Sequence, residues 1–151
     1  MAAWVAGELT WRHPGPDPSC AGETGRDEME HLRKLDTAAL AASADRFTQT
    51  LLGRDSGSST CEINCIKTPA GDGSPAGLHT HPFDQVFYVL AGTMSLEIDG
   101  AAHEAGSGTL VVFPAGVPHR NWNAGTEATV HLALNVPLPD PAVPFATSVA
   151  P

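Results

Sequence analysis

The stretch Gly73-Ser-Pro-Ala-Gly-Leu-His79-Thr-His81-Pro-Phe-Asp-Gln85-Val-Phe-Tyr-Val-Leu-Ala-Gly92 decides how this chain is read. A second stretch follows after a gap of fifteen residues, running from Gly108 through Pro114, Gly116 and His119 to Asn123. On an extended chain, side chains two apart point the same way. His79 and His81 therefore converge, and Gln85 has matching parity. Asp84 has the opposite parity and is not assigned to the site. His119 comes from a different strand, after the turn Pro114-Ala-Gly-Val-Pro118. Imidazoles converging from two strands suit a first-row metal ion, because neutral imidazole is its commonest nitrogen ligand. Gln85 brings a neutral carboxamide, either as a further ligand or as a hydrogen-bond partner beside the ion.

Outward from these stretches, the pattern is one of strands. Phe47–Leu52, Cys61–Lys67, Gln85–Leu90, Thr93–Ile98, Ala101–Glu104, Thr109–Phe113, Arg120–Asn123 and Thr129–Val136 are expected strands, with Gly or Pro in the gaps. Asp99-Gly100 between two alternating runs is a hairpin signal. Short strands at this spacing predict a sandwich or barrel. The helical signal lies in 28–44, where Asp36 is a good N-cap before Thr-Ala-Ala-Leu-Ala-Ala. The expected organisation is an N-terminal arm with a short helix over 1–45, one domain over 46–139, and a C-terminal tail over 140–151. Met29 is an alternative start, which would leave the residues before it outside the native chain.

Composition narrows the function. The chain has 151 residues, 42% of them hydrophobic, enough for one domain with a real core. Its 15 Gly and 13 Pro fit many tight turns. Eight basic residues against seventeen acidic ones leave a net charge of −9, and the basic residues form no run. Nucleic acid and anionic membrane are therefore not expected partners. No apolar run approaches the roughly 18 residues of a membrane span. Met1–Gly7 is apolar but short and lacks a basic start, unlike a secretion signal. Cys20, Cys61 and Cys65 have no paired spacing. Cys61 and Cys65 would lie about 13 Å apart on one strand, too far to bridge. They read as small hydrophobes, and a reducing cytoplasm is the expected setting.

The two opening stretches resemble the conserved motifs of the cupin superfamily, closely over Gly73–Asn123. The resemblance implies an all-β jelly-roll barrel that holds one metal ion. The family usually supplies two His and a Glu from the first motif and one His from the second. His79, His81 and His119 match the histidine positions, and Gln85 stands where Glu is usual. The segments HTHPFDQ, FPAGVPHRNWN and VHLALNVP further resemble the small single-domain bacterial cupins that act as polyketide cyclases, of the resistomycin type. That likeness implies zinc held by several histidines with Gln.

It also brings His131 forward as a fourth histidine. Thr129, His131, Ala133 and Asn135 share one strand face, which could line a pocket mouth. His131 is thus a candidate ligand and a candidate catalytic base. His13, His31 and His103 read as solvated. A site of four His, Gln and water would be six-coordinate, which nickel, iron, manganese or cobalt accept more readily than zinc.

With Gln at position 85 the ion keeps its full charge, which favours polarising a carbonyl oxygen. The expected activity is aldol-type cyclisation and aromatisation of a poly-β-ketone. Phe47, Phe87, Met94 and Trp122 are candidate walls for a flat substrate. The alternatives are a metal-dependent dioxygenase of the flavonol-cleaving kind, or a non-catalytic small-molecule-binding cupin. Both faces of Gln85–Leu90 are apolar, with Val86, Tyr88 and Leu90 opposite Phe87 and Val89. A lone antiparallel sheet leaves one face polar, so a homodimer, or the N-terminal arm of a partner, is expected to cover the second face.

Overall fold

A computed structural model describes residues 31–150. The expectations for the N-terminal arm, His13, Cys20 and Met29 lie outside those residues. Helix α1 is Thr37–Ala42, and the Asp36 carboxylate accepts the Ala39 N–H at 2.8 Å as its N-cap. Ten strands follow in order. They are β1 Phe47–Leu52, β2 Glu62–Thr68, β3 His79–Thr80, β4 Asp84–Ala91, β5 Thr93–Ile98, β6 Ala101–Gly106, β7 Leu110–Phe113, β8 His119–Trp122, β9 Thr129–Val136 and β10 Thr147–Ser148. A 3-10 turn, Arg54–Ser56, links β1 to β2. No described helix is long and apolar enough to cross a membrane.

The strands form two antiparallel five-stranded sheets, ordered β1-β2-β9-β4-β7 and β10-β3-β8-β5-β6. This is the expected all-β jelly roll. Alternation along each strand sets which side chains enter the barrel. On β9, Thr129, His131, Ala133 and Asn135 are buried. On β4, Gln85, Phe87 and Val89 are buried. Phe87, Val89, Met94, Leu96, Ala105, Val111, Phe113 and Ala133 make the apolar core. Full burial of such large side chains is worth roughly 1.5–3 kcal/mol each. That contribution holds a barrel whose interior also carries buried histidines and amides.

Outside, Tyr88, Leu90, Leu110, Val112 and Val136 are each at least 41% exposed. Tyr88 pairs with Leu110 and Val86 with Val112, so β4 and β7 present one apolar face. Cys61 and Cys65 are free thiols, and Cys65 is buried.

Two motif glycines have steric reasons. Gly73 lies against β8, where a Cβ would meet the Asn121 carbonyl oxygen at 3.0 Å and Trp122 Cβ at 3.1 Å. This close approach lays the segment leading to His79 along the strand that begins at His119. Gly92 turns β4 into β5 at φ +76°, and a Cβ there would meet the Ala128 carbonyl oxygen at 2.7 Å. Both the left-handed backbone and the contact oppose any side chain. Gly92→Ala is expected to lower stability by about 1–3 kcal/mol, measured by urea unfolding; an unchanged midpoint would contradict this account.

Candidate metal centre

His79 opens β3, His119 opens β8, and the two are register partners. His81 follows just after β3. The three residues are 5%, 4% and 1% exposed, and one nitrogen from each lies within 4.8 Å of the others. The turn between β7 and β8 is tied to this cluster. Val117 N–H donates to the Pro114 carbonyl at 3.1 Å, and Gly116 N–H donates to the His81 carbonyl at 2.9 Å. The Asp84 carboxylate, outside the site as its parity requires, accepts Ala115 N–H at 2.8 Å. The loop carrying His119 is thus bonded to the segment carrying His81.

Hydrogen bonds to the backbone fix the tautomers. Each Nδ1 faces a carbonyl oxygen: His79 that of Gly77 at 2.7 Å, His81 that of Phe145 at 2.6 Å, and His119 that of Val117 at 2.9 Å. A carbonyl only accepts, so each Nδ1 bears the proton and each neutral ring keeps a lone pair on Nε2. His79 Nε2 and His81 Nε2 lie 3.1 Å apart, and His119 Nε2 is buried without a hydrogen-bond partner. Lone pairs facing one another at that separation repel unless a cation lies among them. Two nitrogens bound at about 2.0–2.1 Å to one ion can sit this far apart. The residues present therefore fit a divalent metal ion.

Burial is the main cause that depresses the His81 pKa, and it depresses that of His119 to about 4. Neutral rings are the form a metal needs. Phe113 stacks on His119 with ring centroids 4.3 Å apart, and Phe83 stacks on His81 at 4.8 Å.

Gln85 is buried beside the cluster, and its side chain acts to raise the His81 pKa against the larger effect of burial. Its Nε2 donates to Asn135 Oδ1 at 3.0 Å. A cavity of about 250 Å³ opens from these residues. Its polar wall includes Arg46, Asn64, Asn121 and Asn135, and its apolar wall includes Ile66, Phe87, Ala133 and Phe145. Arg46 Nη1 donates to Thr68 Oγ1 at 3.2 Å and to the Gly73 carbonyl at 3.1 Å.

Several sequence expectations are corrected here. His131 does not join the other histidines. It faces inward, as its parity indicates, but pairs in register with Val89, four residues along β4 from Gln85. Its ring lies 4.3 Å from that of Phe87, is 0% exposed, and neither nitrogen has a partner. It does not line the cavity, and its nitrogens are not part of the cluster formed by the other three.

Of the four expected pocket walls, only Phe87 lines the cavity. Met94 is fully buried in the core. Phe47 is opposite Lys67, on the face away from Asn64 and Ile66. Trp122 points outward under the Arg120 guanidinium, which is 5.3 Å from the ring centroid and paired with Glu97 at 2.6 Å. The segment read as a tail returns to the site, because β10 pairs with β3 and Phe145 supplies both a carbonyl and a ring to His81. His31 and His103 are exposed, as expected.

Residues 66–136 match the family model described as a cupin domain. No curated protein matches the sequence significantly. Among solved structures, the polyketide cyclase RemF from Streptomyces resistomycificus is 21% identical, with a TM-score of 0.60 over 71% of this chain and 72% of its own. An RmlC-like cupin family protein from Methanocaldococcus jannaschii is 17% identical, with a TM-score of 0.60 over 72% of this chain and 92% of its own. The DMSP lyase DddQ from Ruegeria pomeroyi is 19% identical, with a TM-score of 0.57 over 77% of this chain and 56% of its own. At these identities the likeness shows the fold.

Burial has a consequence for stability in the metal-free protein. His131 is held near pKa 4 in the folded state, first by desolvation and then by the Arg46 charge, against 6.5 for a free ring. The unfolded chain takes up that proton first, so the contribution is complete above pH 6.5 and is lost as pH falls toward 4. The upper bound is about 3 kcal/mol. Urea unfolding between pH 7 and 4 should show this loss in the wild type and a smaller one in His131→Leu; parallel pH profiles would refute it.

Proposed function

We propose that this chain, whose residues 66–136 match the cupin-domain model, is a metal-dependent cyclase that closes an aldol-type ring in a poly-β-ketone on the way to an aromatic product. The observation that carries the reading is the donor set. Three imidazoles converge, the amide of Gln85 is buried beside them, and among the described residues no carboxylate joins the cluster. A divalent ion bound there, zinc being the first choice, would keep its dication charge and supply Lewis acidity toward a ketone oxygen.

The chain's own residues do the rest. The amides of Asn64, Asn121 and Asn135 offer donors and acceptors to the repeated oxygens of a polyketone. Phe87, Ile66 and Phe145 offer apolar contact to the carbons between them. A cavity of about 250 Å³ is at the small end for a ligand site, so it suits the reacting segment of a longer chain. Holding carbon and carbonyl in reacting geometry supplies much of the rate. Ring closure and loss of water need no electron transfer. The name carried by the RemF structure supports this reading, while the lyase of the same fold shows why fold alone does not choose the reaction.

The purified protein should contain about one divalent ion per chain. Chelation should abolish conversion of a synthetic poly-β-ketone thioester, and Zn2+ should restore it without oxygen uptake. His119→Ala should lose both ion and turnover. Stoichiometric oxygen consumption would instead indicate a dioxygenase, and turnover surviving complete metal removal would end the cyclase reading.

We also propose that the apolar outer face of β4 and β7 is covered by a second copy of the chain, which would make the protein a homodimer. Light scattering should give twice the 15.7 kDa chain mass. Val112→Glu, in the 50%-exposed centre of the face, should shift the protein toward monomer with its fold intact. A wild-type monomer mass at all concentrations would exclude this assembly.

A further inference from the structure

Gln85 lies in a row that crosses the sheet. Glu62 on β2 is the register partner of Asn135 on β9, and Asn135 is the register partner of Gln85 on β4. The side chains in this row are bonded in sequence. Glu62 Oε1 accepts Asn135 Nδ2 at 2.9 Å, and Asn135 Oδ1 accepts Gln85 Nε2 at 3.0 Å. Glu62 Oε1 also accepts Asn64 Nδ2 at 2.9 Å, and Asn64 Oδ1 accepts Thr50 Oγ1 at 2.7 Å.

An ionised carboxylate only accepts. It therefore obliges Asn135 to turn its NH2 toward Glu62 and its oxygen toward Gln85. Gln85 must answer with its own NH2. Its remaining group, the amide oxygen, is the one left for the side toward His81, whose pKa the Gln85 side chain acts to raise. Reversing either amide would set acceptor against acceptor or donor against donor along the row.

We propose that Glu62 and Asn135 are positioning residues that lock Gln85 with its carboxamide oxygen toward the metal, so that the site's negative charge sits two amides away from the ion instead of on the ligand. This rests on the metal reading of the three histidines. Glu62 polarises Asn135, and Asn135 polarises Gln85, in the direction that enriches the Gln85 oxygen. The residue at position 85 is neutral, yet its orientation and part of its donor strength derive from a carboxylate.

The arrangement makes a specific coupling. A carboxylate at position 85 would face the Asn135 oxygen, because Asn135 can turn its NH2 to only one of two carboxylates. Gln85→Glu alone should therefore gain little. With Glu62→Gln added, the asparagine is free to turn round. It can then donate to the carboxylate placed at position 85 and accept from the amide placed at position 62.

The test is Co2+ titration of the metal-free full-length protein, reading affinity and the visible d–d bands. Glu62→Gln should weaken Co2+ about 10–100-fold and shift the bands. Glu62→Gln combined with Gln85→Glu should recover the lost affinity, and Glu62→Asp should fall between wild type and Glu62→Gln. A Glu62→Gln protein with unaltered affinity and spectrum, or two changes whose effects simply add, would overturn the proposal.

Should Glu62→Gln fail to fold, side-chain amide exchange in the 15N-labelled wild type decides. The Gln85 NH2 should exchange slowly with water both with and without Zn2+, and exchange at the rate of free glutamine would overturn the relay. A wild type that binds no Co2+ would remove the metal reading, while the exchange measurement would still judge the relay on its own.

Discussion

Three imidazoles each donate an Nδ1–H hydrogen bond to a backbone carbonyl, and that single arrangement sets everything else at the site. The carbonyls of Gly77, Phe145 and Val117 accept the Nδ1–H groups, so the Nε2 lone pairs are left for a metal ion. Side chains could have accepted those protons, but side chains rotate. Main-chain acceptors at fixed places in turns cannot, and they couple ring orientation to the fold. The site is therefore as rigid as the contact between β3, β8 and the chain end that passes over His81. Metal binding costs little reorganisation in such a frame.

The strands were legible because their signals are local. Alternation and Gly or Pro punctuation place β1, β5 and β9 with the observed ends. The two-residue strands β3 and β10 carry no period that could be read. What the chain end contributes is equally invisible. Phe145 reaches His81 through its main-chain oxygen, and a backbone acceptor has no residue signature. The His triad was legible because motif spacing fixed both face and strand.

His131 and Met94 show where that reasoning stops. Periodicity states which face a side chain occupies and says nothing of its depth along the barrel. His131 is inward, as its parity requires, but it is level with Val89 while the ion site is level with Gln85. Trp122 is a different matter, since its offset of three from His119 already put it on the opposite face of the same strand. Phe47 was drawn inward by its apolarity. The structure instead turns Arg46, Thr48 and Thr50 toward the cavity side of β1, with Thr48 opposite Ile66 and Thr50 opposite Asn64.

That reversal runs through the sheet. On β2 and β9 the interior face carries Asn64, Thr68, Thr129, His131 and Asn135, all buried, while Leu132 and Leu134 look outward. Beside its apolar core the barrel hides amides and imidazoles, while β4 and β7 present hydrocarbon outside, unlike a simple soluble sheet. Buried amides are tolerated only when their donors and acceptors are matched. Matching them requires a fixed direction for every amide in the row, and one carboxylate at its edge is sufficient to set that direction. The same polarity that demands cover on the outer face thus demands order within. The neutral ligand position and the acidic residue two strands away are consequences of one constraint: in a dry interior, each polar atom must know which way its neighbour points.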